Sequence, residues 1–338
     1  YLLRLYQRRG LSPFGPEERT LLLGSIIVGT LIGGRLGFVL LYRPDLLAEN
    51  PFALFAVWEG GMASHGGIAG IALGCLWFSR RYARDTVKLQ AGAARLTRAA
   101  EKAAAGEAAK RTAETNHPPG DDPKAGNPTD TGTTPAAPLR ARADALAKAA
   151  RRPAVGWMQV TDLAVTLGPP GVFLGRLANF INGELWGKIG TVPWAVIFPG
   201  AQAPGHFDPT APLVRAQAET YFGWAAPPLA NPRHPSQLYE AALEGLLLGA
   251  FLYWRLWRSR LTTRFGEPVR AGTPGQLTGE FLIAYAVLRV VGELFREPDA
   301  ALILGISRGI FFSLLMIPIG AGVIWWAKRN AAANEAIN

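Results

Sequence analysis

Arg176 stands in an apolar stretch, Gly175-Arg176-Leu177-Ala178-Asn179-Phe180-Ile181-Asn182-Gly183-Glu184-Leu185-Trp186-Gly187. The run sets a permanent cation, two carboxamides and a carboxylate at the end of a segment otherwise fit for lipid. An ionisable group at membrane depth costs roughly 2.5–3.5 kcal/mol on insertion scales, so it marks a task. Four more apolar segments carry such groups: Arg35; His65; Glu240 and Glu244; and Tyr285, Arg289 and Glu293. The last three are spaced i, i+4, i+8 and form one helical stripe. Arg176 and Asn179 share a helix face, as do Glu240 and Glu244. Two or three arginines in a low-dielectric pocket suit a phosphate, whose oxygens match the guanidinium fork. His65 is the one histidine inside an apolar segment and a candidate proton acceptor. Structural alternatives stand beside these readings. Arg289 with Glu293 makes an ion pair within one helix, the two glutamates pair with Arg35 or Arg289, and His65 is a hydrogen-bonded packing residue.

The elements that would position these groups are membrane helices. Of the 338 residues 49% are hydrophobic and only 18% charged, against about 25% charged in soluble domains. Spans need about 20 mainly apolar residues, and six segments qualify: 21–42, 60–79, 160–181, 238–257, 277–295 and 309–327. Residues 51–58 are apolar but short, which suits an interfacial or re-entrant piece. The fold class expected is all-α, a polytopic integral membrane protein with six transmembrane helices in this chain.

Charge orients the spans. Arg4, Arg8, Arg9 and Arg19 precede the first; Arg80, Arg81, Arg84 and Lys88 follow the second; Arg151 and Arg152 precede the third. Arg255, Arg258, Arg260, Arg264 and Arg270 separate the fourth and fifth, and Lys328 and Arg329 follow the sixth. These are alternate loops, so the positive-inside rule makes that side cytoplasmic. Loops 43–59, 182–237 and 296–308 then face outward. Five spans place their polar groups in the outer half of the bilayer, where they line a common cavity rather than lipid. A phospholipid headgroup is the ligand that position suggests. The net charge of +10 follows from this topology and calls for no nucleic acid.

Three regions follow, in one membrane domain overall: 1–88 with the first membrane helices, an Ala-rich, partly disordered cytoplasmic insertion at 89–150, and 151–338 with the remaining membrane helices and the outward loop 182–237. The insertion's flanks, 89–114 and 139–152, suit exposed helices. Its Pro-, Gly- and Thr-rich centre, which holds His117, has too few large apolar residues to order. Cys75 lies alone in an apolar run, which excludes an intramolecular disulfide and reads as packing. Residues 1–10 read as the end of a missing segment, so a truncated N-terminus is expected.

With these residues in view, the chain resembles the bacterial prolipoprotein diacylglyceryl transferase family. The likeness rests on Gly175 to Gly187, on Gly60-Gly61-Met62-Ala63-Ser64-His65-Gly66-Gly67, on Arg233-His234-Pro235-Ser236-Gln237-Leu238-Tyr239-Glu240, and on Tyr285 through Arg296-Glu297-Pro298-Asp299. It covers residues 20–88 and 155–327. The resemblance implies transfer of the diacylglyceryl group of phosphatidylglycerol to the thiol of a lipobox cysteine in a preprolipoprotein, with glycerol phosphate leaving. It implies a bacterial inner-membrane enzyme, active toward the periplasmic half, without metal or cofactor. His65, Arg176 and Arg289 match the family's essential residues, Asn179 and Gly187 its signature, and Glu184, Tyr285 and Glu293 further positions of interest. Asn182 and Arg35 complete the expected substrate-binding set, and Gly183 and Gly187 would let backbone approach a ligand. The family has a seventh, N-terminal span with a functional tyrosine, to whose end only residues 1–10 could correspond here. It has Gly where this chain has Ala178, whose methyl is expected to crowd the helix beside Asn179. The competing readings are a transporter for a phosphate-bearing solute, which would show inverted repeats, and a non-catalytic lipid-binding scaffold.

Overall fold

The computed structural model describes residues 1–8, 12–46, 50–55, 61–115, 136–151, 155–202, 206, 208, 210–212, 214–215, 229–259, 273–298 and 302–337. Outside them lie His117 and the centre of the insertion, residues 56–58 of the short apolar run, Gly60, Asp299, and Arg9, Arg152, Arg260, Arg264 and Arg270. Among the described residues the chain is helical, apart from one two-residue antiparallel pair, β1 (Val214–Arg215) with β2 (Leu229–Ala230), and isolated bridges. It divides into two compact units, Tyr1–Phe78 with Gly156–Asn338, and Ser79–Val155.

The helices are α1 (Leu2–Arg8), α2 (Pro16–Leu41), α3 (Ser64–Thr115), α4 (Ala136–Ala150), α5 (Trp157–Ala164) and α6 (Gly168–Ile181). Then come α7 (Ser236–Glu240), a π-helical turn (Ala241–Leu247), α8 (Leu248–Ser259), α9 (Gln276–Glu293) and α10 (Arg308–Ile337). Two stretches, Pro16–Leu41 and Arg308–Ala331, are long and apolar enough to cross a membrane by composition alone. The other expected spans fall short for physical reasons. Three charges, Glu280, Arg289 and Glu293, interrupt the apolar character of α9. The 160–181 segment breaks at Val165–Leu167, because Pro169 and Pro170 lack the N–H a continuing helix needs.

Close helix crossings set the frame. Gly29, Gly33 and Gly37 of α2 lie against Gly66 and Gly70 of α3, and Gly74 lies against Ser25. A Cβ at Gly33 would fall on the Gly66 carbonyl, and one at Gly37 within 2.7 Å of the Gly66 Cα. Small residues at this spacing let two membrane helices touch backbone to backbone. Gly320 of α10 approaches the Gly279 carbonyl of α9 in the same way, at 2.8 Å from an added Cβ.

The depth of α9 is fixed from outside it. Buried Asp162 of α5 accepts the N–H groups of Gly275 and Thr278, both at 2.7 Å, and the Thr278 hydroxyl at 2.6 Å. These are orphan donors at a helix start. A carboxylate from another helix therefore caps α9 and sets where Tyr285, Arg289 and Glu293 stand.

In the other unit, α3 continues unbroken from its apolar start to Thr115. Both flanks of the insertion are helical, but one small-residue face is covered rather than exposed. Ala93, Ala100, Ala143 and Ala150 are buried, and Gly92 lies 3.8 Å from Leu146 when a Cβ is added.

Candidate active site

The stripe on α9 meets the α7–α8 segment at an irregularity. Glu240 ends α7 and Glu244 lies in the π-turn, where bonds run i→i+5 and re-aim side chains. Gly245 lets this turn touch α6, since a Cβ there would stand 2.6 Å from the Phe173 Cβ. Gly292 of α9 does the same beside the Glu240 Cγ, at 3.3 Å.

Three helices thereby deliver an arginine–glutamate cluster. Glu240 holds Arg176 Nε at 2.8 Å, Arg289 Nη1 at 3.0 Å and Arg296 Nη1 at 3.3 Å. Glu244 holds Arg289 Nη1 at 3.2 Å, with Arg176 Nη2 at 3.9 Å. Glu293 takes Arg289 Nη2 at 2.7 Å. Every member is buried except Arg176, whose side chain is 15% exposed. Among the described residues these contacts join three cations to three anions. Breaking such a pair from one side costs about 3–5 kcal/mol, because the remaining charge stays buried. Arg289 Nε is buried and has no hydrogen-bond partner. The pairing expected of Glu240 and Glu244 with Arg289 is present, and Arg176 shares it.

His65 stands in the first turn of α3. Its Nε2 lies 3.3 Å from the Ser313 hydroxyl of α10, and its ring centroid 5.6 Å from that of Phe312. Its Nδ1 is buried without a partner, which in a native fold calls for an explanation. The charge of Arg289 acts on this imidazole. Ser64, next to His65, stands close enough to act on the buried Tyr285 hydroxyl, so α9 and α3 meet at this level.

At the rim, the Asn182 amide donates to Glu184 Oε1 at 3.3 Å. With its amide nitrogen turned inward, Asn179 donates to Glu184 Oε1 at 3.2 Å and to the Gly175 carbonyl at 3.3 Å. The loop bends through Gly183 (φ 67°) and Leu185 (φ 57°). A left-handed non-glycine residue costs on the order of 1–3 kcal/mol and gathers at functional sites. The loop is pinned from below, because Gln237 donates to the Glu184 carbonyl at 2.6 Å and Ser236 to the Leu185 carbonyl at 3.2 Å.

The structure adds detail to other expected residues. Gly187 makes a close approach to neighbouring backbone: its N–H donates to the His234 carbonyl at 3.0 Å, and an added Cβ would stand 2.6 Å from the Phe295 carbonyl. Ala178 faces outward and is exposed, so its methyl crowds nothing beside Asn179. Arg35 is buried on α2, and the contact described for it is with the Phe38 ring, 5.9 Å away. Cys75 is free and fully buried, as packing requires.

Four contributors, Arg296, Ser64, Ser313 and Arg233, were given no role by the sequence reading. Arg296 follows Arg289 by seven and Glu293 by three, so extending the α9 stripe one turn would have found it. Ser64 stood in a quoted motif next to His65, and Ser313 carried no signal beyond its place in an apolar run. Arg233, also buried, ties the outer loop by donating to the Gly187 carbonyl at 3.1 Å and the His206 carbonyl at 2.6 Å. Nearby, hydrogen bonds from Thr210 hold the Asp208 carboxyl below the usual carboxylate range.

Comparison with known proteins places this geometry. The family model described as prolipoprotein diacylglyceryl transferase matches residues 1–108 and 142–326. The phosphatidylglycerol–prolipoprotein diacylglyceryl transferase of Ruegeria pomeroyi is 33% identical over 334 residues, covering 95% of this chain and 79% of that protein. Its counterpart in Zymomonas mobilis is 31% identical over 333 residues, covering 98% and 79%. That of Proteus mirabilis is 32% identical over 343 residues, covering 98% and 85%.

Proposed function

The chain belongs to the prolipoprotein diacylglyceryl transferase family, and from that premise we propose that the arginine–glutamate cluster is where its lipid substrate is gripped. The protein is a membrane enzyme that transfers the diacylglyceryl group of phosphatidylglycerol to the cysteine thiol of a prolipoprotein. The transporter and scaffold readings give way to this membership. The site assignments that follow are our reading.

One observation carries the assignment: a single carboxylate, Glu240, holds Arg176 and Arg289 side by side, at 2.8 and 3.0 Å. Two neighbouring guanidinium groups match a phosphodiester's oxygens, and Arg289 Nε has an N–H to spare. In a site screened from water, such donors stabilise charge that develops on the leaving phosphate far better than water does. Glu293 and Arg296 hold the pair in place. Asn179, Asn182 and Glu184 at the exposed rim suit the glycerol hydroxyls of the headgroup. Tyr285 and Arg35 line the inner wall, and Gly187 acts by letting the rim loop close on His234.

His65 accepts the thiol proton. Thiolate is the nucleophile that attacks carbon, and a buried imidazole nitrogen without a partner is placed to take that proton. Sulfur attacks the glyceryl carbon, the carbon–oxygen bond breaks, and glycerol phosphate leaves between Arg176 and Arg289. The six apolar segments cross the bacterial inner membrane, and the site opens to the outer leaflet, as the alternation of Lys/Arg-rich loops supports.

The test is transfer of labelled diacylglycerol from phosphatidylglycerol to a lipobox-cysteine peptide by the purified protein. Arg176→Ala abolishes turnover and Cys75→Ala retains it. Full activity in Arg176→Ala sinks the assignment.

A further inference from the structure

The two carboxylates facing the arginine pair are not equivalent. Glu240 is held by three arginines at 2.8, 3.0 and 3.3 Å. Glu244 has one within hydrogen-bond reach, Arg289 at 3.2 Å, and Arg176 only at 3.9 Å. Both are 1% exposed. The groups acting on Glu244 are Arg176 from α6, Arg289 and Tyr285 from α9, and Glu240 from its own segment. Two carboxylates in one pocket with unequal partners divide acid and base duties.

Charge suggests what that division is for. A phosphodiester entering the arginine pair brings one more negative charge beside the buried carboxylates, and an uncompensated buried charge is costly. The added charge is offset if one carboxylate takes a proton as the lipid arrives. Of the two carboxylates that face both Arg176 and Arg289, Glu244 is the less firmly held.

We propose that Glu244 is a further catalytic residue: it is protonated as phosphatidylglycerol binds and delivers that proton to the departing glycerol phosphate. This rests on the assignment of the phosphate to Arg176 and Arg289. The step balances. The thiol proton goes to His65, the carbon–sulfur bond forms, and the carbon–oxygen bond breaks with its electron pair passing to the bridging oxygen. That oxygen takes the Glu244 proton, so glycerol phosphate leaves as a monoanion. Ionised Glu244 then re-forms its pair with Arg289, which helps expel the product, and His65 returns its proton to solvent.

The test is binding without turnover. Phosphatidylglycerol is added to the purified protein in weakly buffered detergent, without peptide, and proton uptake is read with an indicator dye while the lipid Kd is followed against pH. In the wild type, proton uptake approaches one per lipid bound, and Kd rises up to about tenfold per pH unit above the point where Glu244 ionises. Glu244→Gln binds lipid with no linked proton and a flat Kd, and its kcat falls while the KM for lipid does not rise. Lipid binding by the wild type without proton uptake overturns the proposal, as does equal uptake in Glu244→Gln. Should Glu244→Gln fail to fold, the wild-type uptake alone decides. No lipid binding by the wild type would instead remove the phosphate assignment, and this inference with it.

Discussion

α8 and α9, with the turn that precedes α8, carry arginine–glutamate pairing at two levels, built differently. At one end Arg255 of α8 grips Glu280 of α9 through Nε at 2.6 Å and a second contact from Nη2, and Gln276 donates to the same carboxylate at 2.9 Å. Both side chains are 18% exposed. At the other end the π-turn and α9 share three arginines among three glutamates, almost fully buried. The first arrangement is a two-point grip of one guanidinium on one carboxylate, between regular helices. The second gives Arg289 three carboxylates, one of them supplied from a π-helical turn, and still leaves its Nε unpartnered. A tie between helices requires only the first. A cluster with an arginine pair held on one carboxylate beside a more exposed rim suits an anion that arrives and leaves.

Three substitutions break or sharpen that contrast. The largest effect belongs to Arg289→Lys. Lysine keeps the charge but not the fork, so transfer falls about 10²–10³-fold, the scale for losing one oxyanion donor. A steady-state assay with saturating peptide reads it, and near-normal kcat removes the need for bidentate grip. Gly245→Val comes next. Its side chain meets Phe173 and displaces the π-turn from α6, costing about 1–3 kcal/mol of overpacking and roughly tenfold in kcat by misaligning Glu240 and Glu244. Unchanged kcat would show the turn's position to be immaterial. The smallest change in activity is that of Arg255→Ala. It lowers stability to denaturant by about 1–3 kcal/mol, between exposed and buried pairs, and leaves kcat within about threefold. A large activity loss there would erase the distinction between the two ends.

The helical segments were legible because apolar runs of membrane length leave few other structures open to them. The convergence of Arg176, Glu240, Glu244, Arg289 and Glu293 was legible too, because spacing and loop charge placed them on the same side. The π-turn was not, since no residue type announces an i→i+5 bond. Nor was the direction of Ala178, whose exposure depends on the rotation of α6 against its neighbours. Gly187 shows the limit most plainly: a glycine in a polar run signals close approach, but only the fold says that it approaches His234 and Phe295. Asp162, which caps α9 across a helix boundary, looked like one more charge between apolar residues.

The central claim is that the outer cluster, and not the inner pair, grips the lipid phosphate. The most direct measurement places Arg176→Lys and Arg255→Lys side by side in one transfer assay, with phosphatidylglycerol varied and folding checked by thermal melting. The account predicts that Arg255→Lys transfers at close to the wild-type rate. Arg176→Lys loses at least about 10²-fold in kcat/KM at an unchanged melting temperature. Equal rates in the two variants would contradict it.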